Sequence, residues 1–253
     1  MGKLAGKIAV VTGGSSGMGR GIATLFAAEG ASLVIGGRSP ARGREVVGEI
    51  HSRGGQARFV AGDVGLYETN QNLVRTAVDE FGGVDVLVAN AGVLGLGTVT
   101  EISLEAWHAT LATNLHSVFY LLRVGIPELR KRGAGAVVVN GSIAAFKGFP
   151  HHAAYCASKG ALLALVRQVA IDYGPSIRIN LLCPGPVDTP LLWDSAQAFA
   201  NPERAVSDAA AKTALRRLGS PGDVAAAALF LASEESSWMT GTALTIDGGI
   251  LAG

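Results

Sequence analysis

The sequence predicts an α/β fold in which helices cover both faces of a seven-stranded parallel sheet. Short apolar, β-branched runs alternate with longer helical segments along the 253 residues. Most of these runs are continuously apolar, which is typical of parallel strands that are buried on both faces. The 35 glycines cluster in the turns that follow them. Because right-handed crossovers join such alternating elements, the expected architecture is a doubly wound sheet.

Seven segments are predicted as strands and six as helices. The strands are Ile8–Thr12, Ser32–Ile35, Ala57–Ala61, Val84–Ala89, Ala136–Asn140, Ile177–Leu182 and Ala243–Ile246. The helices are expected near residues 18–29, 40–53, 66–81, 103–130, 153–173 and 221–232. Ser39-Pro40 and Ser220-Pro221 each place a capping residue before a proline at the first helical position, which indicates a helix start. Since no linker or repeat divides residues 1–253, we expect a single domain that binds its ligand beyond the carboxyl ends of the strands.

Charge and composition argue against several classes of protein. With 21 basic and 20 acidic residues, the chain has no electrostatic attraction for nucleic acid. Its longest uncharged run, residues 86–100, is too short to span a membrane. Because no signal-peptide pattern is found, we expect a cytoplasmic protein with reduced thiols at Cys156 and Cys183. These two cysteines lack metal-ligand spacing, so no metal site is expected.

A glycine-rich turn follows the first strand, from Thr12 to Gly19. Glycines there and a helix N-terminus just beyond are suited to binding a pyrophosphate. A P-loop is excluded because Arg20, not lysine, follows Gly19. Residues 13–17 also fit the G-x-S-x-G pattern of hydrolases, with Ser15 as nucleophile, but the required later histidine is missing, since His152 is the last in the chain. A tight turn that binds nothing is the remaining alternative.

The spacing T-G-x-x-x-G-x-G resembles that of the short-chain dehydrogenase/reductase family. Further motifs of that family follow in order: Asn90-Ala91-Gly92, Asn114, Ser142, Tyr155-x-x-x-Lys159, Pro184-Gly185 and Asp247-Gly248-Gly249. The resemblance covers essentially the whole chain. It implies a Rossmann-type fold and an NAD(P)-dependent oxidoreductase that acts on CH–OH and C=O groups.

The residues for catalysis form a set of four. Tyr155 and Lys159 are four residues apart in a helix, so both project from one face. An ammonium beside the phenol favours its ionised form and would tune Tyr155 for acid–base work. The resemblance implies that Ser142 polarises the substrate carbonyl with Tyr155, and that Asn114 holds a water linked to Lys159. A solvated Tyr/Lys face and an ordinary helical Asn114 are the alternatives.

The segment after the second strand favours NADP(H) over NAD(H). Gly37 occupies the position where NAD enzymes of this family carry an acidic residue, while Arg38 and Ser39 offer donors to a 2′-phosphate. The uncharged Ser16 lacks the second basic group of many NADP enzymes, so NAD(H) stays possible. The resemblance assigns Asp63 and Val64 to the adenine and the 184–189 segment to the nicotinamide amide. The predicted cofactor site comprises Gly13, Ser15, Ser16, Gly17, Met18, Gly19, Arg38, Ser39, Asp63, Val64, Asn90, Ala91, Gly92, Tyr155, Lys159, Pro184, Gly185, Val187 and Thr189.

Residues 190–213 correspond to the variable substrate lid of the family. The residues expected to contact substrate are mostly apolar: Ile143, Phe149, His152, Trp193 and Phe199. They favour a small to medium, largely apolar ketone or secondary alcohol, although these side chains could instead only pack the lid, and His151 and His152 could be loop residues without contact to substrate. Two alternatives are a 3-oxoacyl-carrier-protein reductase, which would dock its acidic partner through residues 130–132, and a non-catalytic nucleotide sensor.

A homotetramer is expected from the apolar faces of the 103–130 and 153–173 helices. These helices carry more apolar residues than burial of one helical face requires: Leu111, Leu115, Val118, Leu122, Leu165 and Val169. Large exposed apolar patches are rare on monomers, so we expect this surplus to be buried between subunits. In the family these helices pair across a two-fold axis, and a second interface would involve Ile246–Gly253. Two isologous interfaces generate a dihedral tetramer.

Overall fold

The computed structural model describes residues 2–253 and contains one seven-stranded, fully parallel sheet. Its strand order is β3-β2-β1-β4-β5-β6-β7, so the order reverses between β1 and β4. The strands are β1 (Ile8–Thr12), β2 (Ser32–Gly37), β3 (Gln56–Ala61), β4 (Val86–Ala89), β5 (Gly135–Asn140), β6 (Ile177–Pro184) and β7 (Ala243–Ile246). The predicted doubly wound α/β fold is thereby confirmed. Ligands bind such sheets at the crevice where the order reverses.

Helices pack on both faces of this sheet. They are α1 (Gly17–Ala28), α2 (Pro40–Ser52), α3 (Tyr67–Phe81), α4 (Leu104–Leu111), α5 (Ser117–Lys131), α6 (Ala153–Tyr173), α7 (Pro190–Ala196), α8 (Pro202–Lys212) and α9 (Pro221–Ala232). One apolar cluster joins the sheet to α3, α5 and α6, and a second joins it to α1, α2 and α9. Strands such as β1 are therefore buried on both faces, which explains their unbroken apolar sequences.

Both predicted helix starts are confirmed. The Ser39 side chain accepts a hydrogen bond from the Arg42 backbone N–H at 3.4 Å. Ser220 and Asp223 form a capping box, in which each side chain accepts from the backbone N–H of the other residue. Two predicted strands end two residues later than expected, β2 at Gly37 and β6 at Pro184, whereas β4 begins at Val86 and not at Val84.

The single helix expected over residues 103–130 is wrong, because a π-helical segment, Ala112–His116, separates α4 from α5. Its extra residue widens one turn without changing the apolar pattern on either side, so periodicity alone did not reveal it. Two further helices, α7 and α8, occupy the lid segment, where no helix was predicted. Each begins with a proline, and Asn201 caps α8 by accepting from the Arg204 N–H at 2.9 Å.

The apolar residues behind the tetramer prediction are mostly inside the subunit. Val118, Leu122 and Val169 are 3%, 3% and 7% exposed and belong to the core around α5 and α6. These three side chains therefore pack inside the subunit, and the prediction that they lie on the outer face of the helices is wrong. Different residues are exposed on these helices, namely Phe119 on α5 and Ile171 on α6.

Within residues 2–253, no helix combines the length and the apolar character that crossing a bilayer would need. Nor do the side chains of this part of the chain form a cluster of three or more potential metal ligands.

Candidate active site

The glycine turn between β1 and α1 is built for close approach of the backbone to a ligand. Gly13 and Gly17 have positive φ angles of 64° and 50°, which side chains rarely adopt. A Cβ on Gly19 would lie 2.2 Å from the Gly13 carbonyl oxygen, so only glycine fits there. Ser16 precedes α1 without a side-chain cap, which leaves the first N–H groups of the helix free for an anion.

Asn90 fixes this turn against the neighbouring strand. Its amide nitrogen donates to the carbonyl oxygens of Thr12 at 3.0 Å and Gly13 at 3.3 Å. The Thr12 hydroxyl accepts from the Asn90 backbone N–H at 2.9 Å, and the Asn140 amide donates to the Asn90 side-chain oxygen at 2.8 Å. Strands β1, β4 and β5 are thus tied together at their carboxyl ends. The role of Asn140 was not predicted from the sequence. The only signal for it is its position two residues before Ser142.

A cleft of about 470 Å³ opens at these strand ends. The predicted cofactor residues that line it are Gly13, Ser15, Ser16, Gly17, Met18, Gly19, Arg38, Asp63, Val64, Asn90, Ala91, Gly92 and Thr189. The predicted residues that are not among its lining residues are Ser39, Tyr155, Lys159, Pro184, Gly185 and Val187. Sequence reasoning missed several others, of which Arg42, Thr113 and Asp194 carry polar groups.

Lys159 is buried beside this cleft. It is 4% exposed, and its ammonium donates to the Asn140 carbonyl oxygen at 2.8 Å. The Nζ atom lies 5.6 Å from the centre of the Tyr155 ring, and only 3.8 Å from the place where a Cβ on Gly92 would be. Burial lowers the pKa of Lys159 from 10.5 to about 8, because a charged ammonium loses its hydration there.

Tyr155 lies between Lys159 and Ser142. Burial raises the pKa of the Tyr155 phenol above its ordinary value of 10, and a hydrogen bond with the Ser142 side chain works in the opposite direction. Burial thus favours the protonated phenol in the protein by itself, and the expectation that the neighbouring ammonium favours the ionised form stays a prediction. The buried Cys183 thiol lies in the same region, and burial raises its pKa to about 11, so it stays neutral.

Ser142 follows β5 directly and has an extended backbone. Its hydroxyl accepts from the Ala144 N–H at 3.1 Å, which fixes the side chain and leaves its own proton available. Ser142, Tyr155 and Lys159 were predicted as one group, and the structure brings their side chains together. A serine and a tyrosine that share one side of a cleft can both donate to a single carbonyl oxygen.

Asn114 lies in the π-helical segment and not in an ordinary helix as predicted. Its side-chain oxygen accepts from the Val93 N–H, and its amide donates to the Val93 carbonyl, both at 2.8 Å. The amide also donates to the Ser158 hydroxyl at 3.0 Å, and Ser158 donates to the Tyr155 carbonyl at 2.7 Å. Asn114 therefore connects the loop after β4 to the helix turn that carries Tyr155. Ser158 was missed by the sequence analysis.

The predicted substrate residues separate into two groups. His152 lies next to Tyr155, with 6.2 Å between the ring centres, and Phe149 packs on the His152 ring at 6.3 Å. Ile143 is 4% exposed, immediately after Ser142. Trp193 and Phe199, by contrast, belong to the lid segment and are 41% and 40% exposed. The structure thus places only the first group against the catalytic tyrosine.

Comparison with known proteins agrees with this geometry. The profile of a family described as enoyl-(acyl carrier protein) reductase matches residues 13–251. The chain is 37% identical over 248 residues to an uncharacterized oxidoreductase of Thermotoga maritima, covering 98% of each chain. The protein belongs to the short-chain dehydrogenase/reductase family. Within this family it is also 39% identical to 3beta-hydroxysteroid dehydrogenase 1 of Eggerthella lenta, covering 98% and 94% of the two chains. It is 36% identical to the 2,5-dichloro-2,5-cyclohexadiene-1,4-diol dehydrogenase of Sphingobium indicum, covering 98% and 97%.

Membership in the short-chain dehydrogenase/reductase family makes the protein an NAD(P)-dependent oxidoreductase of alcohols and carbonyl compounds. The cleft fits such a cofactor, because it combines a glycine turn with a free helix N-terminus, and the buried Lys159 lies near its lining residue Gly92.

Proposed function

We propose that the protein is an NADP(H)-dependent reductase or dehydrogenase acting on small to medium, largely apolar ketones or secondary alcohols. The observation that carries the cofactor choice is a pair of guanidinium groups, Arg38 and Arg42, that line the cleft at the end of β2. Within residues 2–253 neither forms an ion pair. Two free cations at one end of a cleft favour a dianionic group such as a 2′-phosphate.

Arg42 supplies the second cation that the glycine turn lacks. From the sequence, a second basic residue for the 2′-phosphate was expected at position 16, where a serine stands. Arg42 lies in the first turn of α2, so its guanidinium and the positive end of the helix dipole act on the same region. Ser39 is proposed to bind the phosphate from this helix start.

Other members of the family that use NAD(H) carry an acidic residue at the position of Gly37, and the space around Gly37 is too small for such a side chain. A Cβ on Gly37 would come within 2.8 Å of the Ser15 hydroxyl and 3.4 Å of the Phe59 ring. An acidic side chain would therefore have to displace Ser15, one of the cleft residues. This crowding supports NADP(H), since no carboxylate faces the ribose from Gly37.

The remaining assignments follow the family. Asp63 and Val64 are proposed to hold the adenine, while Pro184, Gly185, Val187 and Thr189 face the nicotinamide amide. The nicotinamide supplies or accepts the hydride when the cofactor is bound. During reduction, Ser142 donates a hydrogen bond to the substrate carbonyl oxygen, and the Tyr155 hydroxyl gives that oxygen its proton. Lys159 holds positive charge beside the tyrosine and stabilises the phenolate that remains. Asn114 is proposed to hold the water through which the proton is replaced.

An acidic carrier protein is a weaker candidate as partner. Of residues 130–132, Lys131 pairs with Glu128 at 2.8 Å and Arg132 with Asp85 at 3.0 Å. These pairs leave Arg130 as the one cation of this group that has no ionic partner within residues 2–253. The hydroxysteroid and cyclic diol dehydrogenases among the relatives instead support an apolar, cyclic substrate.

We also propose a single-domain, cytoplasmic homotetramer. Support for the assembly comes from Phe119 and Ile171 on α5 and α6, which are 47% and 82% exposed, and from Trp238, which is 99% exposed. Apolar side chains with this degree of exposure favour burial between subunits.

A cofactor and substrate panel tests the proposed function. Absorbance at 340 nm is followed with NADPH and NADH against cyclic ketones, including 3-oxosteroids and substituted cyclohexanones. We expect kcat/KM to be at least tenfold higher with NADPH, and Arg42→Ala to lower this ratio severalfold. Arg44→Ala is the matched control, because Arg44 is an exposed arginine of the same helix that does not line the cleft. Equal ratios for wild type and Arg42→Ala would refute the role of Arg42, and a preference for NADH would refute the cofactor assignment.

A further inference from the structure

One side-chain hydrogen bond joins the lid to the catalytic segment. The His152 Nε2 atom lies 2.7 Å from the hydroxyl oxygen of Ser195, which belongs to α7. Within residues 2–253 it is the only side-chain hydrogen bond between the 190–213 lid and residues 140–160. The two residues are 43 positions apart in the sequence, so this contact exists only when the lid lies against the active site.

The proton on Nδ1 of His152 follows from the partner of that atom. The Nδ1 atom lies 2.6 Å from the Pro150 carbonyl oxygen, which can only accept a hydrogen bond. Nδ1 therefore donates to this carbonyl, and Nε2 is paired with the Ser195 hydroxyl, which can donate or accept. Both ring nitrogens are used in this arrangement, and the ring is only 5% exposed.

His152 is held rigidly from the other side. It precedes the first residue of α6, and its carbonyl oxygen accepts from the Cys156 N–H at 2.9 Å. It also pairs as an isolated β-bridge with Gly97, through a 2.7 Å bond from the Gly97 N–H to the His151 carbonyl. Tyr155 lies one helical turn further along, with its ring against that of His152. Of the two residues in the contact, His152 is therefore the rigidly held one, and it lies beside Tyr155.

The lid has little else to hold it closed. Helix α7 buries only Ala196, and α8 buries only Val206. Elements with so few buried apolar contacts open at low free-energy cost. A single neutral hydrogen bond contributes enough to change such an opening equilibrium about threefold to tenfold.

We propose that His152 is a positioning residue that latches the substrate lid: the hydrogen bond between its Nε2 atom and the Ser195 hydroxyl holds α7 over the Tyr155 side of the active site. The consequence for substrate rests on the proposed function, because closure retains the bound ketone beside Tyr155. Because Asp194 of the same helix also lines the cofactor cleft, the latch is read most directly from the mobility of α7 itself.

Hydrogen exchange of the protein without substrate tests the latch directly. In Ser195→Ala we expect the protected amides of α7 to exchange about threefold to tenfold faster than in wild type. Ser207→Ala, an exposed serine of α8 with no side-chain hydrogen bond, is the matched control and should leave this exchange unchanged. Unchanged exchange in Ser195→Ala would overturn the proposal.

A double-mutant cycle separates the latch from a general structural role of the histidine. His152→Ala and Ser195→Ala should each accelerate exchange, and the double variant should do so no more than either alone. His152→Gln keeps an acceptor near the Nε2 position and should restore slow exchange in part, whereas His151→Asn, at the neighbouring exposed histidine, should have no effect. Additive acceleration in the double variant would overturn the coupling. If His152→Ala proved unstable, the same comparison would be made between Ser195→Ala and the double variant that combines it with His152→Gln.

Kinetics then show whether the latch serves the reaction. The KM for the ketone should rise about threefold to tenfold in Ser195→Ala. Faster exchange with an unchanged ketone KM would contradict a positioning role for His152. If wild type turned over no ketone or alcohol at all, the proposed function would fail while the exchange result still decided the latch.

Discussion

Replacing Lys159 by methionine should stabilise the free protein at neutral pH. The side chain is 4% exposed, and its pKa is lowered from 10.5 to about 8 by burial. This difference corresponds to about 3 kcal/mol, at roughly 1.4 kcal/mol for each pH unit. Losing the hydrogen bond to the Asn140 carbonyl offsets roughly 1 kcal/mol of it. Methionine fills the same space without a charge, so a net gain of about 2 kcal/mol, or about 4–8 °C in Tm, is expected.

The gain should depend on pH in a defined direction. Below pH 8 the lysine is charged in the folded and the unfolded protein, and the folded protein bears the whole cost of burying it. Between pH 8 and 10.5 the unfolded chain binds more protons than the folded one, so the stability of wild type rises with pH. The advantage of Lys159→Met should therefore shrink over this interval and nearly vanish by about pH 10.

Thermal unfolding at fixed protein concentration, without cofactor, measures both effects at pH 7 and pH 10. Lys7→Met is the control, since Lys7 is exposed and its replacement should not change Tm at either pH. A Lys159→Met variant that is less stable than wild type at pH 7 would refute the reasoning. So would an advantage that stays the same at pH 10.

Three further predictions concern cofactor and assembly. Arg38→Asp should lower the ratio of kcat/KM for NADPH to that for NADH at least tenfold, whereas Arg44→Asp should leave it nearly unchanged; equal effects would show that Arg38 does not contact the 2′ position. Gly19→Ala should weaken NADPH binding at least tenfold in a fluorescence titration, because its Cβ would lie 2.2 Å from the Gly13 carbonyl oxygen; wild-type affinity would contradict the tight-turn account. Sedimentation equilibrium at micromolar concentration should give about four times the 25.8 kDa chain mass, and a monomer would refute the tetramer.

The strands and the glycine turn could be predicted because their signals are local. A parallel strand covered on both faces is a short apolar run, as in β1 and β5, and both were found almost to the residue. The turn from Gly13 to Gly19 needs glycine for steric reasons that act within a few residues. That Tyr155 and Lys159 share one face follows from the period of the helix, whereas their catalytic role is what the resemblance to the family implies.

The features that escaped prediction depend on contacts between distant segments. The π-helical turn around Asn114 is stabilised by hydrogen bonds to Val93 and Ser158, which lie far away in the sequence. Val118 and Leu122 were assigned to a subunit interface because their burial in the core depends on how α5 packs. The start signals of α7 and α8 were visible as Pro190 and Asn201-Pro202, but α7 is too short for an apolar period to appear.

Arg42 shows the same difficulty at the cofactor end of the cleft. The sequence places it one helical turn beyond Ser39, with Arg38 before the helix and Arg44 within it as the other candidates nearby. Only the packing of α2 against β3 decides which of these arginines faces the cleft. For that reason the second cation was sought at Ser16, inside the motif, and was not found there.

The central claim is that Tyr155 is the acid–base group of a hydride transfer that depends on the nicotinamide cofactor. Tyr155→Phe removes only the phenolic hydroxyl, so it tests this claim most directly. With NADPH and the best ketone of the panel, kcat should fall about 10²–10⁴-fold, while the NADPH dissociation constant, measured by fluorescence titration, stays within twofold of wild type. Turnover close to that of wild type would contradict the account.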